Sequence, residues 1–198
     1  MGRHREFDVD QALEAALSVF WQKGYEGTSF EDLTQATGVA RPGLYSAFGN
    51  KEALFLQALD LYGAKYLGFM SQALDEPTSY KVVERTLHGC AVLHTLSANH
   101  PGCLGLNGAL ACSDESESVR QELIRRRAAS QLALRRRLER AQREGDLLPS
   151  ADCATLAEYV MIVSQGMAVQ AKAGVSRKSL EKLAEHVLST WPTPPATR

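Results

Sequence analysis

Start and stop signals for helices punctuate this chain from end to end, and those of strands are nearly missing. Apolar residues recur at helical spacing in block after block, each opened by a capping residue and closed by glycine or proline. No stretch sustains a period-two alternation, and no Asn-Gly or Asp-Gly turn joins two such runs. With 44 % hydrophobic residues in 198, there is ample material for a sizeable helical core. An all-α fold is the only class that this pattern supports.

Asp8 is placed to cap a first helix whose apolar face is Val9, Leu13, Ala16, Leu17 and Phe20, stopped by Gly24. Thr28 and Glu31 have the spacing of a capping box, opening a short second helix that ends at Gly38. Pro42 sits where a third helix begins, a position at which its missing N–H costs nothing. Gly49 closes that helix, and Asn50 caps a long fourth one running from Lys51 to about Leu74. Further helices are expected over Tyr80–Leu96, Cys103–Cys112, Glu117–Glu144, Cys153–Ala173 and Ser179–Trp191, about nine in all. The Pro-rich tail 192–198 is expected to be disordered.

Residues 29–48, SFEDLTQATGVARPGLYSAF, carry the most specific local pattern. Two short helices flank a tight Gly38-Val39-Ala40 turn. Phe30, Leu33 and Ala36 can pack with Val39, Leu44 and Phe48, leaving Arg41, Gly43, Tyr45 and Ser46 on the outer face of the second helix. A helix that enters a major groove needs this division, because apolar contacts fix the interhelical angle while a short polar face meets DNA. The same spacing suits an αα-corner in a plain bundle. Charge cuts the other way: residues 1–60 hold five Lys/Arg against nine Asp/Glu. DNA contact requires local positive charge, however, and four of the five cations (Arg3, Arg5, Arg41 and Lys51) fall on the N-terminal arm and around the proposed recognition helix.

The stretch from Phe7 to Leu59 resembles the DNA-binding domain of TetR-family regulators. The resemblance is carried by the F-x-x-K-G-Y-x-x-T-S run from Phe20 to Ser29, by Gly38-Val39, by L-Y-x-x-F from Leu44 to Phe48, and by K-E-x-L-F from Lys51 to Phe55. It implies a three-helix helix-turn-helix DNA-binding domain over 6–66, followed by a helical effector-binding and dimerisation domain over 67–191. It also implies roles by position. Thr28, Tyr45 and Lys51 would contact phosphates, and Arg41, Pro42, Gly43 and Ser46 would face base edges or sugar. Phosphate contacts set register while base edges carry sequence, and Arg41 is the one long arm suited to guanine O6 and N7. Arg3 and Arg5 resemble a basic arm, with an exposed arm free of DNA as the alternative.

Two stripes in the terminal helices are expected to form a dimer interface with a second copy: Leu156, Val160, Val163 and Met167, then Leu180, Leu183, Ala184, Val187, Leu188 and Trp191. The alternative is that both are intramolecular core. Tyr62, Tyr66, Phe69 and Met70, with Leu87, Cys90 and Leu93, are candidates for lining an apolar effector pocket. Pro101-Gly102-Cys103-Leu104 reads as a turn into a helix. This G-C-L segment, with Gln170–Lys172, resembles a TetR-family branch that includes electrophile- and oxidant-responsive repressors, which implies a reactive Cys103 with Lys172 near it. An inert, buried Cys103 is the alternative.

Glu117–Glu144 holds nine Arg and four Glu, but their i,i+4 spacing reads as a solvated, salt-bridged helix face and not as a nucleic-acid patch. His88, His94 and His100 share no helix face, and the four cysteines lack ligand spacing, so neither metal nor cofactor is expected. No membrane span or signal peptide is visible, which places the expected compartment in the cytoplasm. The functional expectation is a non-enzymatic, homodimeric repressor, released from a palindromic double-stranded operator by a small-molecule or electrophile effector. The competing reading is a small helical redox protein or enzyme using Cys103, with a structural helix-turn-helix.

Overall fold

The computed structural model describes residues 7–107 and 116–194. Among them are ten helices and no strand: α1 (Val9–Lys23), α2 (Phe30–Thr37), α3 (Arg41–Phe48), α4 (Lys51–Tyr66), α5 (Gly68–Leu74), α6 (Ser79–His94), α7 (Leu104–Asn107), α8 (Glu117–Arg143), α9 (Cys153–Lys172) and α10 (Arg177–Ser189). The all-α expectation holds. The expected long fourth helix is two, broken at Leu67–Gly68, where glycine weakens a helix but the apolar periodicity runs on regardless. Of the segment expected over Cys103–Cys112, α7 occupies Leu104–Asn107, and residues 108–112 lie outside the described residues, as do Arg3, Arg5 and 195–198.

The chain divides into two compact units, residues 1–65 with 104–123, and residues 66–103 with 124–198. In the first, the Asp8 carboxylate accepts from the N–H groups of Asp10 and Gln11 to start α1, and Gly24 ends it at φ 75°. The apolar face of α1 builds an aromatic core. The Phe20 ring stands edge-on to Phe55 at 5.0 Å, and Trp21 meets Tyr62 edge-on at 4.8 Å. α7 returns to the same helix, where the Asn107 side-chain amide donates to the Trp21 carbonyl at 3.1 Å.

The cap of α2 differs from expectation by one residue. Thr28 is buried and its hydroxyl donates to the Gly24 carbonyl at 2.6 Å, which leaves capping to the next hydroxyl. Ser29 therefore forms the capping box with Asp32: each backbone N–H donates to the other's side chain, at 3.0 and 3.1 Å. Lys23 adds an ion pair to Asp32 at 2.6 Å. That hydrogen bond, with those from Ser29, holds the Asp32 carboxyl down at about 2.

The second unit packs α6 against α5, α9 and α10 around Val82, Val83, Leu87, Leu138, Val160, Met167, Leu180 and Val187. Gly89 lets the Phe69 ring lie directly on α6, since a Cβ there would collide with it. Arg137 is buried in this unit without a carboxylate among the described residues. It donates to the carbonyls of Leu74, Glu76 and Pro77 at 3.0, 2.6 and 3.2 Å, closing the C-terminal end of α5. The stripes read as a dimer interface fall mostly in this core: Val160, Met167, Leu180, Ala184, Val187, Leu188 and Trp191 are buried within the one chain. What α9 leaves open is a different face, Tyr159, Ile162 (59 % exposed), Gly166 and Val169, with Leu183 of α10 also exposed. Both faces of α9 are apolar, and periodicity alone does not tell the core face from the outer one.

Candidate nucleic-acid interface

α3 starts without a side-chain cap, with Pro42 in its first turn. Its inner positions, Leu44 and Phe48, are buried together with Leu33 of α2 and Val39 of the turn. This packing turns Arg41, Pro42, Tyr45 and Ser46 to the exposed side, as the sequence pattern requires. Gly43 is the exception on that face. It is half-buried, and a Cβ there would sit 2.9 Å from Val39 Cγ1 and 3.6 Å from the Phe7 ring, so its role is close packing of the first turn.

The side chain of Arg41 is not extended freely into solvent. Its guanidinium lies 4.2 Å from the centroid of the Phe30 ring and 5.4 Å from that of Tyr45, and Nη2 donates to the Tyr45 hydroxyl at 2.9 Å. The two rings are themselves in contact, centroids 5.1 Å apart. Lys51, at the start of α4, places its ammonium 4.5 Å over the Tyr25 ring. Partial burial pushes the Lys51 pKa down, while the charge of Glu26 pulls it back up. Phe30 was legible in the sequence only as a packing residue and Tyr25 only as part of the run from Phe20 to Ser29, and nothing in their spacing marks them as seats for cations. Thr28, expected at phosphate, has its hydroxyl committed inside the fold.

The residues proposed for a pocket fall in both units. Tyr62 belongs to the first unit, against Trp21. Tyr66 and Phe69 are half-buried in the second, Phe69 on Gly89. Cys90 is core, its thiol pushed up to about 12 by burial and by neighbouring Cys103, against a hydrogen bond from Ser164. Cys103 is half-buried directly before α7, following Gly102 at φ 84°. A Cβ on Gly102 would stand 3.0 Å from the Ala168 carbonyl oxygen and 3.7 Å from Lys172 Cβ, so this turn lies against the end of α9, with the base of the Lys172 side chain beside it. His94 is buried beside the same turn with Nδ1 unpartnered, and burial takes its pKa down to about 4 against backbone hydrogen bonds at Gly102 and Ser164. An open groove of about 270 Å³ lies elsewhere in this unit, lined by Met70, Ser71, Leu74, Thr86, Ala129, Ser130, Ala133, Leu134 and Met161. Of the residues named for a pocket, Met70 alone lines it. Among the described residues no cluster of His, Cys, Asp or Glu is arranged to hold a metal ion, and no helix is long and apolar enough to cross a membrane.

A three-helix head with an outward-facing α3, joined in one chain to a larger helical unit, defines a helix-turn-helix regulator. Residues 12–58 match the profile of bacterial regulatory proteins of the tetR family, and residues 78–187 match that of the tetracyclin repressor-like C-terminal domain. The chain belongs to the TetR family. It is 34 % identical to the HTH-type transcriptional repressor ComR of Escherichia coli (strain K12), over 96 % of this chain and 92 % of that protein. It is 30 % identical to the uncharacterized HTH-type transcriptional regulator YezE of Bacillus subtilis (strain 168), over 94 % of this chain and 96 % of that one. A cysteine-substituted form of the TetR family transcriptional regulator CifR, solved in complex with 26-base-pair double-strand operator DNA, superposes with a TM-score of 0.90 at 39 % identity, covering 96 % of this chain and 100 % of the other. Membership in a family of regulatory proteins decides against the alternative of a helical enzyme built on Cys103.

Proposed function

We propose that the protein is a homodimeric transcriptional repressor of the cytoplasm that grips a palindromic operator in double-stranded DNA with α3 and lets go when an effector occupies its second unit. The observation that carries this reading is the exposed face of α3, where Arg41, Pro42, Tyr45 and Ser46 stand together, with Lys51 at the start of the next helix. Arg41 reads a base edge, Tyr45 and Lys51 hold phosphates, and Pro42 and Ser46 approach the groove wall. Thr28 acts from inside, fixing the loop that presents α2. Two half-sites one helical turn apart require two copies, and the apolar face of Tyr159, Ile162 and Val169 is the surface that supports pairing. The DNA-binding domain ends near Tyr66, and the effector domain follows from Leu67.

The groove bordered by Met70 and Met161 supports an apolar effector, and a half-buried Cys103, next in the chain to the Gly102 that lies by Lys172 Cβ, supports an electrophilic one. The test is a binding shift on the DNA upstream of the protein's own gene. The protein retards that duplex in preference to a scrambled one, and the preference weakens as salt rises. Equal binding to both duplexes at every salt concentration overturns the reading. For the electrophile branch, maleimide labels Cys103 ahead of Cys90 and Cys153 and releases the operator. Unchanged DNA binding after complete Cys103 labelling rejects that branch alone.

A further inference from the structure

The cations of the first unit are held in two different ways. Lys23 is neutralised by the Asp32 carboxylate. Among the described residues Arg41 is held by neutral groups only: the face of Phe30 at 4.2 Å, the face of Tyr45 at 5.4 Å and the Tyr45 hydroxyl at 2.9 Å. A guanidinium on an aromatic face is attracted by the ring quadrupole and keeps its whole charge for an incoming anion. It is also partly frozen before any DNA arrives. An arginine loses much side-chain freedom when it fixes on a base edge, and a side chain already seated loses less of it on binding. One N–H of Nη2 is spent on Tyr45, and the remaining donors of the planar fork stay available for two acceptors on one base. By accepting from a charged donor, the Tyr45 oxygen leaves its own O–H to donate outward, toward a phosphate.

We propose that Phe30 is a positioning residue for sequence discrimination: its ring seats Arg41, and Arg41 with Tyr45 then acts as a single reading unit in which base contact and phosphate contact form together. This rests on the reading of α3 as the DNA-contacting helix. Phe30 opens α2 and is half-buried, so it touches the reading unit from the neighbouring helix and not from α3 itself. The unit therefore ties the angle between α2 and α3 to the pose of Arg41.

The test compares Phe30→Leu, Phe30→Trp and Tyr45→Phe in the full-length protein. The probes are the duplex upstream of its own gene, trimmed to the footprint, and a scrambled duplex of equal length. Phe30→Leu lowers the preference for the first duplex about two- to fivefold per half-site, the worth of an exposed cation–π contact, and leaves affinity for the scrambled one unchanged. Phe30→Trp, with a stronger ring face, restores the preference. In an Arg41→Ala background Phe30→Leu has no further effect, because the residue it positions is gone. A second readout needs no DNA. The Arg41 Hε resonance is shifted by the Phe30 ring in the wild type, moves to an ordinary arginine position in Phe30→Leu, and changes with loss of the hydroxyl in Tyr45→Phe. An unshifted Arg41 resonance in the wild type overturns the proposal, as does a Phe30→Leu loss that is equal on both duplexes or persists without Arg41. If the wild type prefers neither duplex while the resonance is shifted, it is the DNA reading that fails and not the seat.

Discussion

The cations around α3 in the first unit and along α8 in the second are held in different ways. In the first, the exposed Arg41 and the half-buried Lys51 rest on aromatic rings, with the charge of Glu26 acting on Lys51. In the second, two surface arginines of α8 rest on carboxylates, Arg135 on Glu139 at 2.7 Å and Arg140 on Glu144 at 2.8 Å. The difference shows how an acid-rich head can still present Arg41 with no carboxylate beside it among the described residues. What a polyanion meets is charge without a counter-charge nearby, and a net count over sixty residues does not measure that. The second unit also buries ionisable groups, Arg137, His94 and Cys90, in its core, where they serve packing and closure of helix ends.

The contrast is sharpened most by charge reversal on each side. Arg41→Glu is expected to lower operator affinity about a hundredfold or more, since loss of one good bidentate base contact alone accounts for about 10- to 100-fold. Arg135→Glu, at an ion-paired α8 position, is expected to change affinity less than about twofold. Titration of labelled operator against both variants checks this, and comparable losses would break the contrast.

Acid acts next, through the core of the second unit. His94 is neutral in the fold, with a pKa near 4, while the unfolded chain takes up its proton near the ordinary value of 6.5. Its contribution to stability is full above pH 6.5 and is lost as pH falls from there to about 4, on the order of 3 kcal/mol across the window. Thermal midpoints recorded from pH 7.5 to 4 should show that slope flattened in His94→Gln.

Removal of Arg137 comes third. Arg137→Met preserves the stem but leaves three carbonyls at the end of α5 without their donor, and a loss of about 2 kcal/mol is expected. Denaturant unfolding reads it, and operator specificity at a temperature where the variant is folded should be intact. The smallest effect belongs to the cap of α2. Ser29→Ala is expected to cost about 1 kcal/mol. The Asp32 half of that box, with its carboxyl held at about 2, stays charged and stabilising until pH falls from the ordinary carboxylate range toward 2. A melt of Asp32→Asn should therefore converge on the wild type at the acid end.

Much of the head was legible because its signals are local. Asp8, Gly24, Gly38, Pro42 and Gly49 mark helix ends through backbone geometry that depends on immediate neighbours only, and the structure places the ends where they stand. The outward face of α3 followed from the spacing of Leu44 and Phe48. Even here one local rule yielded to a longer contact. Thr28 has the residue type and spacing of a cap, but its hydroxyl is taken by Gly24, and Ser29 caps instead.

The sequence by itself determined the helical class, the position of the helix-turn-helix, and which side of α3 faces outward, because helix periodicity and capping are written within a few residues. Only the tertiary structure decided which apolar face of α9 is core, which aromatic ring seats Arg41, and why a buried Arg137 needs no carboxylate. Those are pairings between helices, and a hydrophobic or charged residue shows its preferred environment in sequence but not the partner that supplies it.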